Sequence, residues 1–551
     1  VKNVAKRKKE KKKRTVPESV SPLTRRFRLP LVLVVLTILI FVGTRWVVDR
    51  TRRHTLLDRL PIINDQSFNT ETLKRKVAQA DEALRRMLSR GNPERAFGRK
   101  AGQLGELYQA NHFYDQAVPS YQLAMEFDKK NPRWTYYLAF VKQEKGENES
   151  VQNLLGATIA LAPRYAPAIL KLADSHFKTG KTQAAKTYYK RRLNLLPGDP
   201  YALLGLARIS LDANQWETAQ AYLEEAIKTN PQFGPAHRLI ASVHEHFGRN
   251  DDMKQSLDRA AQCTRFRPAP DPWIDALNDL CYDVEQLMVL GSKAIIELDI
   301  EEASGFLGRA KDLDPENPQV HLALGRLCFM VGQRKEARGF FKKAIDLDPR
   351  SDEAYFQLGV ILRHEGKLKE AKKMFLRALD FHPDNPNVHN NLGVTLLEQQ
   401  QFREAVRALN KALEIYPEHL NARYNLGLAL WSLGKTEPAV QEYRKILSVK
   451  PNWPIVANSL AWILATDKNN EIRNGAEAIR WARVACKGDG RKNPEYLDTL
   501  GAAYAEAGRF EEAVRTARES LPLARSAGDA ELAEEVEKRL LLYKAKKAFT
   551  E

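Results

Sequence analysis

The residues of this chain best equipped for chemistry are few and badly spaced for catalysis. The four cysteines, Cys263, Cys281, Cys328 and Cys486, never lie within three residues of one another, which excludes CxxC zinc or redox pairs and CxxCH haem attachment. Cys328 sits on an apolar helical stripe and reads as a small core residue, whereas Cys263 and Cys281 bracket a proline-rich stretch and are conceivable disulfide partners in an oxidising compartment. His244-Glu245-His246 has metal-binding side chains, but two helical positions separate the imidazoles by about 200°, too far apart to share an ion. No Walker loop and no GxGxxG after a strand occurs. The chain therefore reads as non-enzymatic, with no catalytic residue, metal, cofactor or small-molecule substrate expected.

What recurs instead is a side-chain amide. Gln357, Asn391 and Asn425 follow one another at equal intervals, with a period of 34. An amide both donates to and accepts from a peptide group, so a row of them holds an extended backbone with little regard to its sequence. Helical spacing turns Phe356, Asn390, Tyr424, Arg363, Trp431 and Trp462 towards the same groove, where aromatics supply apolar anchors. The competing reading is that the amides satisfy neighbouring helix ends and the aromatics pack between helices.

The amides inherit their spacing from the chain. A Leu/Ile-Gly/Ala pair recurs with the same period from Leu104-Gly105 to Ile240-Ala241 and again from Leu290-Gly291 to Leu460-Ala461, ending at Leu500-Gly501, twelve units in all. In nine units a small residue follows thirteen positions after the leucine, as at Ala117, Ala303 and Ala371, and in most an aromatic or Leu comes four later, as at Tyr121, Leu307 and Phe375. The units around Val151 and Met253 replace the small residue. Prolines such as Pro163, Pro315 and Pro451 close the units. Each unit reads as helix, turn, helix and stop: the small residue lets two helices approach closely, and proline cannot continue the second one.

These residues resemble the tetratricopeptide repeat (TPR) family over about residues 98 to 528. The resemblance implies an all-α, right-handed solenoid of about twelve helix-turn-helix units whose first helices line a concave face that binds peptides and proteins. The amides at 357, 391 and 425 are similar to the asparagine ladder in the TPR superhelix of O-GlcNAc transferases. The transferase's catalytic domain is absent, and Ala323 and Ser459 stand at the flanking ladder positions, so the ladder is short.

The array is expected as a first block over 98–266, a Pro-rich insert over 267–283 containing Pro268, Pro270, Pro272 and Trp273, and a second block over 284–528. Six extra residues near Asp467 to Gly475 read as a longer loop between helices. A helix over 529–551, capped by Asp529 with Leu532, Val536 and Leu540 inward, closes one end. Leu73, Val77, Leu84 and Met87 share one helical face within 49–97, a juxtamembrane linker with a possible capping helix.

Of the net charge of +18, residues 1–59 supply +13, from 17 Lys and Arg against Glu10, Glu18, Asp49 and Asp58. The remaining +5 is spread thinly, so a nucleic-acid-binding helical array is disfavoured. Residues 29–44 carry no charge, and with Trp46, Val47 and Val48 the stretch 29–48 is long enough to span a bilayer core of ~30 Å. No A-x-A site follows, which favours an uncleaved signal anchor over a cleaved leader. Twelve Lys and Arg precede the span and five follow it, placing the basic tail 1–28 in the cytoplasm and the repeats outside. The expectation is a bacterial, single-pass inner-membrane scaffold or adaptor with its repeats on the periplasmic side, binding protein or peptide partners. The alternative is an assembly factor for exported clients, similar to membrane-bound TPR proteins of cytochrome maturation or the translocon.

Overall fold

The repeating pattern folds into helical hairpins. The computed structural model describes residues 23–61, 68, 70–90, 95–263 and 267–551, and among them all regular structure is helical. Twelve hairpins follow the twelve Leu-Gly/Ala pairs, from Arg95–Ala110 with Tyr114–Phe127 to Pro494–Glu506 with Phe510–Ser526. The chain is an array of helix-turn-helix units. It divides into two compact units, Val1–Leu287 and Met288–Glu551.

The regular spacing has a direct steric basis. A side chain added at Gly359 would lie 2.7 Å from the Phe375 ring, one at Gly325 2.5 Å from Phe341, and one at Gly393 2.5 Å from Leu409. In each of these hairpins the glycine of the first helix is thus covered by the large residue sixteen positions later. The alanines four residues before those large groups, Ala337, Ala371 and Ala405, are fully buried. Val151 fills the same place in a degenerate unit and is also buried, whereas Met253 is only half-buried.

Each hairpin begins and ends on local chemistry. Asn317, Asn385 and Asn493 cap first helices that open with proline, their side chains accepting from the next backbone N–H groups; proline at this position gives up a donor the helix would not have used. The second helices end at Leu195, Leu313, Leu347, Phe381 and Ile415, two residues ahead of the prolines expected to stop them. Several histidines find structural roles here. His237, His321 and His389 place Nε2 at 2.9, 2.8 and 2.7 Å from the carbonyl of the proline six residues earlier. His246 lies flat on Trp216, with ring centroids 3.9 Å apart. Cys263 and Cys281 are buried free thiols, the first beside the Pro231 carbonyl at 3.9 Å and the second beside that of Asp283 at 3.7 Å.

In eleven of the twelve hairpins the turn uses a left-handed residue, the longer loop between Pro454–Thr466 and Gly475–Ala485 being the exception. Gly146, Gly180, Gly248, Gly332, Gly366, Gly434 and Gly508 have positive φ, and the equivalent residues in the other four are His112, Asn214, Leu298 and Gln400. These positions keep the repeat's period within each unit, although in several hairpins a side chain has to tolerate the strain.

Helix Glu71–Arg90 buries Leu73, Val77, Leu84 and Leu88 in the same core as the first hairpin. At the other end Asp529 accepts from the Leu532 N–H at 3.0 Å and opens helix Ala530–Lys544, which buries Val536 and Leu540. The N-terminal helix Leu23–Asp58 leaves Val34, Leu36, Ile38, Ile40, Phe41, Val42, Trp46, Val47 and Val48 49% to 65% exposed. Among the described residues no helix is long and apolar enough to cross a membrane. Of the span expected at 29–48, the side chains of 29–33, 35 and 39 lie outside the described residues, as do residues 1–22 of the basic tail.

Three glycines should respond differently to alanine. Gly359→Ala forces a methyl into Phe375 and should cost ~1–3 kcal/mol. Gly366→Ala, at φ 74°, should cost ~1–2 kcal/mol. Gly339→Ala, inside helix Arg334–Leu347 with open space around it, should stabilise by ~0.5–1 kcal/mol. Urea melts of the three variants check this ordering; a destabilised Gly339→Ala would contradict it.

Candidate protein-interaction site

Within each unit, successive first helices touch one another more extensively than successive second helices do, as with Asp352–His364 against Pro386–Glu398 and the latter against Leu420–Ser432. Each unit, taken by itself, therefore curves with its first helices inward. The amide-bearing helices all belong to this inner set.

In the second unit, Asn425 donates from Nδ2 to Asn390 Oδ1 of the preceding repeat at 2.9 Å. Asn391 donates to the Asn387 carbonyl one turn back at 2.9 Å, and Gln357 donates to Glu353 Oε1 at 2.7 Å. Glu353 is also paired with Arg326 at 2.9 Å. All of these amides are half-buried, and each donor spends one N–H on its own fold while an amide has two donors and an acceptor. Tyr424 packs on Tyr443 and Trp453, and burial raises its pKa. Ser459 occupies the ladder register and donates to the Ile455 carbonyl one turn back at 3.0 Å.

The remaining expected residues divide. Phe356 packs at a tilt on Phe375, centroids 6.1 Å apart. Arg363 pairs with Glu398 of the next repeat at 2.8 Å, while its Nε is buried without a partner. Trp431 lines a pocket with Asp467, Asn469, Ile472 and Glu551. Trp462 lies against Phe549, with the Arg539 guanidinium 5.2 Å above its ring. Asn425 and Asn390 thus join one repeat to the next, and the two tryptophans group instead with the segment 545–551. Sequence reasoning missed Asn458, whose Oδ1 is buried without a hydrogen bond; it stands one repeat beyond Tyr424 in the same register and was visible by counting.

His419 ties the strip to helix geometry. Its Nδ1 accepts from the Ala422 N–H at 3.2 Å, capping helix Leu420–Ser432, and its Nε2 lies 3.3 Å from Asn387 Oδ1. The cap requires a proton-free Nδ1, so Nε2 carries the hydrogen and donates to Asn387. Burial lowers the His419 pKa.

Comparison with known proteins agrees with the fold. Residues 351–418, 176–243 with 396–463, and 494–519 match three family models, each described as tetratricopeptide repeat. A stretch of 170 residues is 26% identical to the cellulose synthase operon protein C of Pseudomonas fluorescens (strain SBW25), covering 31% of this chain and 13% of that protein. A stretch of 157 residues is 28% identical to the protein of the same name from Xanthomonas axonopodis pv. citri (strain 306), covering 27% and 10%. The matched part thus spans about an eighth or less of these relatives. Among solved structures, pilF of Pseudomonas aeruginosa is 26% identical, with 40% of this chain and 96% of that chain covered and a TM-score of 0.35. The Cut9 and Hcn1 hetero-tetramer of APC/C gives 14% identity, coverage of 79% and 95%, and a TM-score of 0.37.

Because the folded pKa of His419 lies below its ordinary 6.5, the cap's contribution is present above pH 6.5 and is lost as pH falls through the lowered value. Acidification from pH 7.5 to 5 should therefore remove ~0.5–2 kcal/mol through this group. His419→Asn retains an acceptor that does not titrate, and its urea midpoint should change less over the same range. Equal pH slopes in the two proteins would show that His419 does not cap.

Proposed function

We propose that this array of tetratricopeptide repeats is a membrane-anchored scaffold that holds extended segments of partner proteins on the inner side of its second unit. The observation that carries the reading is the strip of half-buried amides and hydroxyls from Gln357 through Asn391, Asn390, Asn425, Tyr424 and Ser459. The Asn425–Asn390 bond links two repeats of the strip, bonds within their own helices orient Gln357 and Asn391, and the remaining amide donors and acceptors are available to a peptide backbone. Recognition by backbone suits a protein that gathers partners of unlike sequence, with Phe356 and Arg363 at one end adding apolar and charged selectivity.

Residues 29–48 serve as the anchor in this reading. Its support is the uncharged run 29–44 and the exposed apolar side chains around the N-terminal helix. The excess of Lys and Arg ahead of the run puts the repeats on the periplasmic side of the inner membrane. A reporter enzyme active only outside the cytoplasm should be active when fused after Glu551, and residues 60–551 should be digested by protease added to spheroplasts. Protection from the protease would reverse the orientation.

The groove is tested by separating binding from folding. Asn391→Ala with Asn425→Ala should shift stability by no more than ~1 kcal/mol. Crosslinking of partners in native membranes should meanwhile weaken roughly fivefold to a hundredfold, two lost hydrogen bonds at ~0.5–1.5 kcal/mol each. Leu392→Ala, which empties a buried core position, should cost ~2–5 kcal/mol and serves as the folding control. A double amide variant that melts like Leu392→Ala, or that stays folded and captures partners fully, would assign the amides a purely structural role.

A further inference from the structure

The proline-rich insert does not simply loop away between repeats. It runs along the inner side of the first unit, against the order of the repeats. The Arg267 carbonyl accepts from the Tyr201 hydroxyl at 2.6 Å. Asp271 then accepts from two phenols, Tyr165 at 2.6 Å and Tyr136 at 2.5 Å. The Trp273 indole stacks on Tyr165 with ring centroids 3.6 Å apart and an angle of 11° between planes. The Trp273 backbone is held at both ends, its carbonyl by the Tyr137 hydroxyl at 3.0 Å and its N–H by the Tyr165 oxygen at 3.2 Å. Further on, the Asn111 amide donates to the Leu280 carbonyl at 2.9 Å and accepts from the Tyr282 N–H at 2.7 Å.

This is the contact pattern of a groove reading a peptide. Main-chain groups are gripped by side chains of several repeats, one carboxylate and one indole are selected by position, and Asp271, Leu277 and Cys281 are buried while Pro268, Pro270 and Pro272 face outward. The segment is extended only up to Asp271, after which Pro272–Asp275 and Ala276–Leu280 form two short helical turns that set Leu277 into the core of the first unit, with Trp273, Ile274, Leu280 and Tyr282 packed beside it. The receptor side also packs on the repeats themselves: the Tyr137 ring lies against Tyr121 and Trp134, with centroids 5.6 and 6.4 Å apart, which limits the freedom it has to lose.

We infer that the inner face of the first unit is a second peptide-binding site, selective for a proline-flanked segment in which an aspartate opens a short helical turn two residues ahead of a tryptophan. The chain's own residues 267–282 occupy it, and a partner segment of the same chemistry enters by displacing them. The site is independent of the amide strip of the second unit, and either can fail without the other.

The test uses the full chain and a labelled synthetic peptide with the sequence of residues 267–283. Asp271→Ala with Trp273→Ala releases the internal segment from the two positions that the groove selects. This variant should bind the peptide at least roughly tenfold more tightly than the unsubstituted protein, in which the tethered segment competes at an effective concentration approaching millimolar. A peptide carrying the same two substitutions should bind neither protein. Equal uptake by both proteins, or none by a variant whose circular dichroism and melting match the original, overturns the proposal. If the variant loses helix, hydrogen exchange in the unsubstituted chain decides: saturating peptide should speed exchange at the amides of 273–282, and unchanged exchange overturns the displacement.

Discussion

The structure depends on one steric relation, the approach of a first helix to its partner across a glycine or an alanine. At Gly359, Gly393 and Gly427 the space a methyl would need is already taken by Phe375, Leu409 and Tyr443. Such contacts fix how deeply the two helices of a hairpin interlock, and since packed interiors tolerate neither gaps nor overlap, they also fix the length of the unit. Once the length is fixed, every other position acquires a register. A residue on the inner side in one repeat has its counterpart on the inner side of the next, and a row of side chains becomes possible without any element dedicated to building it.

That register explains why the second unit's strip is both connected and interrupted. Asn425 reaches Asn390 because the two stand 35 residues apart, one position more than a repeat, so the bond is diagonal rather than straight up the array. Ser459 stands where a fourth amide would and turns its hydroxyl back to the Ile455 carbonyl of its own helix. Asn391 and Gln357 likewise bond within their own helices, so the strict ladder suggested by equal spacing is a row with one diagonal link. Of the two sequence readings, a means of joining repeats is what the Asn425–Asn390 bond displays.

The hairpins were legible in the sequence because their cause is local and repeated twelve times: the Leu-Gly pair, the small residue and the stopping proline each act within one unit. The left-handed turns were less so. Where glycine stands at the turn the signal is plain, but His112, Leu298 and Gln400 adopt the same conformation because the hairpin around them imposes it. The course of the insert was not legible at all. Tyr136 and Asp271 meet across 135 residues, and nothing in either neighbourhood announces the other. Trp462 was misplaced for a similar reason, since Phe549, more than two repeats further along the chain, lies against it.

The end of the second unit shows how a contact with little energetic return can still be justified by geometry. Arg539 and Asp498 form an ion pair at 2.9 Å with both side chains at most 6% exposed, and burial outweighs the guanidinium's attraction enough to push the Asp498 carboxyl up to about 6. A pair so strained by desolvation adds little stability of its own. Its effect is positional: it sets the guanidinium over both Trp462 and Phe549, at 5.2 and 5.1 Å from their ring centres. The indole is thereby covered from its own chain, and Glu551 N–H closes the arrangement by donating to the Thr466 carbonyl at 2.8 Å. The open part of the inner strip consequently ends near Tyr424 and Ser459, a boundary drawn by side chains that come from outside the repeat bearing Trp462.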